Sequence, residues 1–424
     1  MQQAGDRFPD NFRPMVRRPI VRKGTPCWDP AVLDRYGTLL FRRVLDRGRS
    51  VLALGVHTEL DVPHFDHDGT VPDWTFGHMC YDRKNTLERL TSRHPDPQGY
   101  PVERWFVPRT VVEWDDERTI LHLHPDHAEE GEVLAEALFH SPVHERKNVA
   151  VTWTGDTDRA TYLNNAGKLL DHIRRGDIYE VNYCVQHSAK VSDWDPYHAF
   201  DKLLRRTQAP FAAFYRHDAR FVLCASPERF LAFADDRVVG EPMKGTRPRS
   251  SEPAEDARLA QELASDAKER SENVMALDVM RNDLSRVSAS RSVVVPELCQ
   301  VRSYPSVHQM VSTVQAVIAP GRTPYDVLLA AFPMASMTGA PKIRAMQLID
   351  EAEDQRRSLF SGTLGFFAPD GTGDFNVVIR SIFHDRDQGT LKVLAGSALT
   401  AHCDPEAEWE ECALKARTVM EAIA

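Results

Sequence analysis

Two pairs of glutamates stand at helical spacing and could together hold a divalent cation. Glu269 and Glu272 lie three residues apart in "KERSENVM", and Glu408 and Glu411 lie three residues apart in "EAEWEECALK". Residues at this spacing share one face of a helix. Magnesium binds few carboxylates and keeps waters for the oxygens of a substrate. The same spacing is typical of a solvated helix face, so both interpretations stay open.

A lysine in "EPMKGTRPR" is either a solvated charge or a nucleophile. Lys244 stands between an apolar residue and a glycine. Most lysines are exposed, whereas a nucleophilic lysine must lose its proton through desolvation or a nearby cation. In "ASPERF", Glu228 would be a general acid if it were buried, because burial raises the pKa of a carboxyl group. Otherwise it is a surface carboxylate that pairs with Arg229.

Basic and glycine-containing segments near the carboxyl end could hold an anion. Arg380 ends "NVVIR", Gly396 belongs to "AGSA", and Lys415 lies on the last predicted helix. Backbone amides of a glycine turn can bind a carboxylate together with arginine and lysine side chains. In "FPMASMTGAPKIRAM", Ser336 and Thr338 precede an apparent helix start, which indicates either an anion site or a capped helix.

The elements that must position these residues mix strands with long helices. "IYEVNYCVQHSAKV" predicts a strand, and "FVLCASPERFLAFADDRVVGEPM" predicts a hairpin. "ARLAQELASDAKERSENVMALDVMRNDLSRV" predicts a long helix in two pieces, and "AVLDRYGTLLFRRVLDRG" predicts a helix closed by Gly48. Because the strands and helices do not alternate regularly, the pattern favours an α+β fold. No GxGxxG or Walker A motif indicates a nucleotide site.

Composition and charge argue against several classes of function. The chain has 424 residues, a net charge of −10 and 42% hydrophobic residues, which is typical of a soluble globular protein. Its acidity argues against a nucleic acid or an anionic membrane as a partner. The seven cysteines show neither a disulfide framework nor Cys/His spacing for zinc. Because no secretory apolar region or membrane-length run is evident, we expect a cytoplasmic location.

The order of eight motifs resembles the chorismate-utilising enzymes. From the amino end these are "GDIYEVN", "SPERF", "PMKGTRPR", "KERSENVMALDVMRNDLSRV", "VHQMVS", "FPMASMTGAPKIRAM", "DFNVVIRS" and "DPEAEWEE". This family includes component I of anthranilate synthase and of aminodeoxychorismate synthase, and the isochorismate and salicylate synthases. The resemblance extends from about Ala160 to the carboxyl end. Upstream, "FGHMCYDRKNTLERL" and "FVPR" resemble component I of aminodeoxychorismate synthase.

This resemblance implies an anthranilate synthase component I-like α+β fold. Two β-sheets would pack face to face, helices would surround them, and the active site would lie in the cleft between the sheets. Residues 1–150 would form an N-terminal subregion, and residues 151–424 would form the chorismate-binding catalytic core of the same structural unit.

The resemblance also implies a role for each candidate residue. Glu272 and Glu411 would bind Mg²⁺, and Glu269 and Glu408 would assist them. The metal would neutralise a carboxylate of chorismate. The residues that would contact the substrate ring or its carboxylates are Thr246, Arg380, Gly396, Ser397 and Lys415.

Lys244 discriminates between members of the family. Aminodeoxychorismate synthases carry lysine at this position, where the amine is thought to attack ring carbon 2, and anthranilate synthases usually carry alanine. Glu228 would be the acid beside the leaving hydroxyl at ring carbon 4. Glu180 stands where isochorismate and salicylate synthases carry a lysine base, and Gln309 replaces a histidine that is associated with aromatisation. We expect the neighbouring His308 to point elsewhere.

The resemblance therefore favours component I of an aminodeoxychorismate synthase. It would convert chorismate and ammonia to 4-amino-4-deoxychorismate for 4-aminobenzoate synthesis. A separate glutamine amidotransferase would supply the ammonia, because no cysteine lies in a recognisable glutaminase motif. One alternative is an anthranilate or 2-amino-2-deoxyisochorismate synthase. The other is a non-catalytic subunit that binds chorismate, which the unusual Glu180, Gln309 and "AGSALTAHCDP" would support.

Overall fold

The computed structural model describes residues 17–26, 29–44, 48–66, 69–140, 149–305 and 307–424, which form twenty strands, ten α-helices and three short 3-10 helices. The strands are β1 (Arg18–Lys23), β2 (Thr38–Val44), β3 (Arg49–Leu60), β4 (Thr75–Met79), β5 (Glu103–Trp114), β6 (Arg118–Leu123), β7 (Thr154–Gly155), β8 (Glu180–Lys190), β9 (Ala213–His217), β10 (Arg220–Cys224), β11 (Arg229–Ala234), β12 (Arg237–Gly240), β13 (Met243–Pro248), β14 (Val294–Ser303), β15 (Val307–Val317), β16 (Gly339–Ala340), β17 (Thr363–Phe367), β18 (Gly373–Val377), β19 (Ser381–Asp385) and β20 (Thr390–Thr400). The helices are α1 (Pro30–Leu33), α2 (Lys84–Leu87), α3 (Gly131–His140), α4 (Arg159–Arg174), α5 (Pro196–Thr207), α6 (Pro253–Ser265), α7 (Ala267–Ser285), α8 (Pro324–Ala331), α9 (Lys342–Ala352) and α10 (Pro405–Ala422).

All twenty strands belong to one antiparallel hydrogen-bonded network, which divides into two branches at β5. From β3, beside β5, the first branch continues through β2, β9, β10, β19 and β20 to β8. From β4, on the other side of β5, the second branch continues through β17, β18, β11, β12 and β15 to β13 and β14. The predicted α+β fold is confirmed, and its strands form one connected network with two branches.

A buried ion pair joins the two branches and belongs to a small network of buried charges. Arg42 on β2 contacts Asp374 on β18 with an N–O distance of 2.5 Å, and Arg229 on β11 contacts the same carboxylate at 2.9 Å. Arg229 also contacts Glu241 at 2.7 Å. Buried charges are tolerated when they are paired, and the loss of one partner is costly. The Arg42–Asp374 pair therefore holds β2 of the first branch against β18 of the second, and Arg229 supports Asp374 from within the second branch.

The core consists of separate apolar clusters on the faces of this network. The largest cluster includes Trp105, Phe366 and Phe375, whereas a second packs Phe41 on β2 against Phe200 on α5. A third cluster packs α4, α9 and α10 against β8 and β20. Among the described residues, no helix combines the length and the apolar character needed to cross a membrane.

Most predicted elements are present, but the helix predicted for "AVLDRYGTLLFRRVLDRG" is wrong. Helix α1 ends at Leu33, and strand β2 begins at Thr38. Strand β2 pairs with both β3 and β9, and Leu39, Leu40 and Phe41 are almost fully buried. A strand that is covered on both faces is apolar on both, so it lacks the alternation that identifies a half-exposed strand.

The long helix does break into two pieces, as predicted. Helix α6 ends at Ser265, and the carboxylate of Asp266 accepts the backbone N–H of Glu269 to cap α7. The division of the chain near residue 150 stays a prediction. Strands from both sides of that position pair in both branches, since β2 pairs with β9 and β4 pairs with β17.

Candidate active site

The predicted site residues come from both branches and from helices α7 and α10. Glu180 is the first residue of β8, in the first branch, whereas Lys244 lies on β13, in the second. The two side chains meet, because the Lys244 Nζ lies 2.5 Å from the Glu180 Oε1. The site therefore lies where the end of β8 faces β13.

Lys244 is an ion-paired cation in this structure. Its side chain is 11% exposed, and its Nζ also lies 3.8 Å from the Glu272 Oε2. Burial acts to lower the pKa of Lys244, but the negative charges of Glu180 and Glu272 outweigh burial, so the net pKa is raised. The resting geometry therefore holds a proton on this amine, and a nucleophilic role requires that the proton be passed on.

A bulge in β13 directs the Lys244 side chain. The register between β13 and β15 shifts between Lys244 and Thr246, and Gly245 has a left-handed φ of +74°. A Cβ at Gly245 would lie 2.9 Å from both the Glu269 Oε2 and the Leu263 Cδ1. The left-handed backbone conformation therefore favours glycine here, and a Cβ would also displace the ends of the Glu269 and Leu263 side chains.

Glu228 is buried and can carry a proton near neutral pH. It is 4% exposed, and the Ser336 hydroxyl donates a hydrogen bond to its Oε1 at 2.7 Å. Burial raises the pKa of Glu228 to about 7, although the Ser336 hydrogen bond and the charge of Lys244 act to lower it. The surface interpretation of Glu228 is wrong, because Arg229 pairs with Asp374 and Glu241 instead.

Gln309 holds the bulge of β13 in place. Its Nε2 donates to the Gly245 carbonyl at 2.7 Å, and its Oε1 accepts from the Thr246 hydroxyl at 3.1 Å. The adjacent His308 contacts Ser303 and Asp256 instead, as its position on the opposite face of β15 requires. Gln309 and Thr246 thus lie beside Lys244, and their contacts with substrate stay a prediction.

The two glutamate pairs face each other across a lysine that sequence reasoning missed. The Lys268 Nζ lies 2.9 Å from the Glu408 Oε1 on α10 and 3.7 Å from the Glu272 Oε1 on α7. Glu269 and Glu411 also interact electrostatically. The sequence does contain one sign of this contact, because Lys268 lies four residues before Glu272 and such residues are neighbours on a helix. The structure therefore brings all four glutamates to one cluster.

The electrostatics of this cluster fit a divalent cation. Burial raises the pKa of Glu272 to about 7 and also raises the pKa of Glu269. Burial acts in the same direction on Glu411, but the neighbouring Lys415 outweighs it and lowers the pKa. Within the described ranges, the Glu272 Oε1 is buried and accepts no hydrogen bond. A buried carboxylate oxygen of this kind suits Mg²⁺, which prefers hard oxygen ligands.

Arg380 and Lys415 provide positive charge beside the cluster. Among the described residues, the Arg380 guanidinium makes no hydrogen bond or ion pair, and burial lowers its pKa. The Lys415 Nζ donates to the Gly396 carbonyl at 2.9 Å and lies 2.5 Å from the Glu411 Oε1. A Cβ at Gly396 would lie 2.5 Å from the Cys184 Sγ, so the strand requires glycine there. The free guanidinium is suited to an anionic ligand.

Three hydroxyls near the predicted anion sites are hydrogen-bonded to other groups of the protein. Ser397 lies on the helix-facing side of β20, where its hydroxyl lies 3.1 Å from the hydroxyl of Tyr162 on α4. Successive side chains of a strand alternate between faces, so Ser397 points away from the face of Gly396. The Ser336 hydroxyl donates a hydrogen bond to the Glu228 carboxylate, and the Thr338 hydroxyl donates to the Met334 carbonyl. Neither hydroxyl caps α9, which begins without a side-chain cap.

Comparisons with known proteins give a consistent family. A family model described as "chorismate binding enzyme" matches residues 48–421. Anthranilate synthase component 1 of Thermus thermophilus is 36% identical over 356 residues, which are 82% of this chain and 76% of that protein. Aminodeoxychorismate synthase component 1 of Escherichia coli is 38% identical over 271 residues, which are 64% of this chain and 59% of that protein. The chain thus spans less than two thirds of the second relative.

A solved structure supports the fold. The menaquinone-specific isochorismate synthase of Escherichia coli superposes with a TM-score of 0.77 at 17% identity, over 96% of this chain and 94% of that chain. At this identity the likeness concerns the fold alone.

Proposed function

The chain belongs to the chorismate binding enzymes, and we propose that within this family it is component 1 of an aminodeoxychorismate synthase. The observation that carries the proposal is the position of Lys244, whose Nζ lies 2.5 Å from Glu180 and 3.8 Å from Glu272. An amine held between the protonatable Glu228 and a cluster of carboxylates suits a nucleophile that works with an acid. The substrates would be chorismate and ammonia.

The reaction needs an acid and a nucleophile on the substrate ring. The neutral Lys244 amine forms a bond to ring carbon 2, the two ring double bonds shift towards carbon 4, and the bond from carbon 4 to its hydroxyl breaks; the double bonds shift back when ammonia later bonds to carbon 4. Glu228 gives its proton to that hydroxyl, which leaves as water. Ammonia then forms a bond to carbon 4, the bond from carbon 2 to Lys244 breaks, and the new ammonium group returns a proton to Glu228. Glu180, hydrogen-bonded to Lys244, is the nearest acceptor for the proton that Lys244 must first lose.

The remaining residues would bind and orient the substrate. Arg380 and Lys415 would attract its carboxylates, and the Gln309 amide would keep β13 in the bulged form that aims Lys244. The four glutamates would hold Mg²⁺, whose charge neutralises a substrate carboxylate. We also propose a cytoplasmic location and a separate glutamine amidotransferase as the source of ammonia, in keeping with the component 1 designation of the relatives.

An anthranilate or 2-amino-2-deoxyisochorismate synthase is the second candidate. It is favoured by the Thermus thermophilus anthranilate synthase, which aligns with 82% of this chain, more than the 64% of the Escherichia coli aminodeoxychorismate synthase component. Lys244 argues against this candidate. When ammonia itself attacks ring carbon 2, the reaction needs no lysine amine to bond to that carbon. A product analysis decides between the two, and also tests the non-catalytic alternative.

We expect the purified chain to convert chorismate in the presence of Mg²⁺ and ammonium salt. The product should yield 4-aminobenzoate only when an aminodeoxychorismate lyase is added, as chromatography and mass spectrometry would show. Anthranilate or a carbon-2 amine would instead establish the second candidate. No turnover, even with a cognate glutaminase, would establish a chorismate-binding subunit without catalysis.

We expect the activity to fall as pH rises through about 7, because Glu228 then loses the proton that it gives to the leaving hydroxyl. The folded-state pKa of Glu228 is raised, so the protonated acid is present below this pH and is lost above it. Ser336→Ala removes a hydrogen bond that lowers this pKa. The alkaline limb of the kcat/KM profile should therefore shift to higher pH in that variant.

A matched serine distinguishes this effect from a general loss of packing. Ser358 is also buried, and its hydroxyl has no hydrogen-bond partner in the described part of the chain. Ser358→Ala should keep the alkaline limb of the wild-type enzyme. If Ser336→Ala leaves the limb in place as well, Glu228 is not the acid whose titration limits the reaction.

A further inference from the structure

Three histidines and an aspartate gather on elements that contribute nothing to the candidate active site. His57 lies on β3, and His124, Asp126 and His127 follow β6 in the sequence "HPDH". The His57 Nε2 lies 3.9 Å from the Asp126 Oδ2, and the His124 Nδ1 lies 3.7 Å from the same oxygen. We propose that His57, His124 and Asp126 bind a divalent transition-metal ion of the zinc type.

The separations are close to those of a metal centre. Zn²⁺ binds nitrogen and oxygen at about 2.0–2.2 Å in a tetrahedron, which places its ligand atoms about 3.4 Å apart. The ligand atoms of the three residues already lie within 4.8 Å of one another. Asp126 is 69% exposed and His57 is 24% exposed, so small rotations of these two side chains can close the set. The exposed carboxylate also leaves an entry path from solvent.

The two histidine rings lie against each other in a geometry that suits neutral imidazoles. The rings of His57 and His124 are stacked with their centroids 3.6 Å apart, where two imidazolium charges would repel each other. Metal ligation requires neutral imidazole, because the lone pair must be free.

The hydrogen bonding of His124 is incomplete for a buried ring. His124 is 1% exposed, and its Nε2 has no hydrogen-bond partner among the described residues. Its Nδ1 accepts only a long hydrogen bond, at 3.3 Å, from the backbone N–H of Asp126. Buried polar groups in proteins are almost always hydrogen-bonded. The weakly bonded Nδ1, which lies 3.7 Å from the Asp126 Oδ2, is therefore the nitrogen that would bind the metal, and Nε2 would point away from it.

His127 orients a ligand rather than completing the set. The His127 Nε2 lies 3.3 Å from the His57 Nδ1. A hydrogen bond between these two atoms leaves the other nitrogen of His57, its Nε2, facing Asp126. Metal-binding histidines commonly use their second nitrogen in this way. A set of imidazole and carboxylate ligands favours zinc, copper or nickel, whereas Mg²⁺ prefers oxygen ligands alone. The site is thus chemically distinct from the glutamate cluster.

The test is zinc binding to the full-length, metal-free protein, measured by competition with a chromogenic chelator in excess Mg²⁺. Glu272→Gln is used as a second background, so that the glutamate cluster cannot account for the signal. We expect one equivalent of Zn²⁺ to bind in both backgrounds. His57→Gln and Asp126→Asn should each weaken binding at least about tenfold, and His127→Gln should weaken it less.

His172→Gln is the matched control, because His172 is 21% exposed and also contacts an aspartate, Asp177, but lies outside the cluster. It should bind zinc like the wild type. Cobalt(II) gives a second readout, since its visible spectrum reports nitrogen ligands and should change in His57→Gln. Absence of zinc binding, or equal binding by His57→Gln and Asp126→Asn, would overturn the proposal. Circular dichroism and thermal unfolding verify that these partly exposed substitutions leave the fold intact.

Discussion

The Lys244→Ala variant is expected to lose aminodeoxychorismate formation by a factor of about a thousand or more, which corresponds to about 4 kcal/mol of transition-state stabilisation. The reason is chemical, since alanine offers no amine to bond with ring carbon 2. Arg380 and Lys415 remain in place, so the variant should still bind chorismate. Steady-state rates with ammonium and Mg²⁺, together with a direct measurement of chorismate affinity, test both parts.

Loss of the ion pair must be separated from loss of the nucleophile. Removing Lys244 leaves the buried Glu180 without its partner, and an uncompensated buried charge can cost about 3–5 kcal/mol of stability. Lys244→Arg keeps a positive charge but provides no nucleophile, and the double variant Lys244→Ala/Glu180→Gln removes both charges. Both should be folded and inactive. Substantial activity in either would rule out covalent attack by Lys244.

The glutamate cluster shows what spacing can and cannot predict. The sequence places Glu269 beside Glu272 and Glu408 beside Glu411, because residues three apart share a helix face. It does not show that α7 and α10 face each other, since that contact joins residues far apart in the chain. The same limit hid Lys268, which bridges the two helices. The ion pair of Lys244 with Glu180 likewise depends on how β8 meets β13.

The wrong helix prediction over β2 has a physical cause. Strand β2 is covered on both faces, so its apolar run carries no two-residue period and is easily mistaken for part of a helix. Ser397 shows a different limit, because its role follows only from the resemblance. Strand β20 places its side chain on the face opposite Gly396, and its contact with substrate stays a prediction.

The Glu272→Gln and Glu411→Gln variants are expected to lower the rate about a hundredfold at a Mg²⁺ concentration that saturates the wild type. Glutamine keeps the size of the side chain but removes the anionic oxygen that a hard cation prefers. The concentration of Mg²⁺ for half-maximal activity should therefore rise in both variants. Chelation should inactivate the wild type, and added Mg²⁺ should restore it.

Glu410→Gln is the matched control, because Glu410 is exposed on the same helix as Glu411 and lies outside the cluster. It should keep the wild-type response to Mg²⁺. Burial raises the pKa of Glu272, which means that the folded protein disfavours its charged form. Glu272→Gln should therefore leave the metal-free melting temperature at or above the wild-type value, so that lost activity in this variant would reflect lost metal binding. An unchanged Mg²⁺ response in both variants would exclude the glutamate cluster as the metal site.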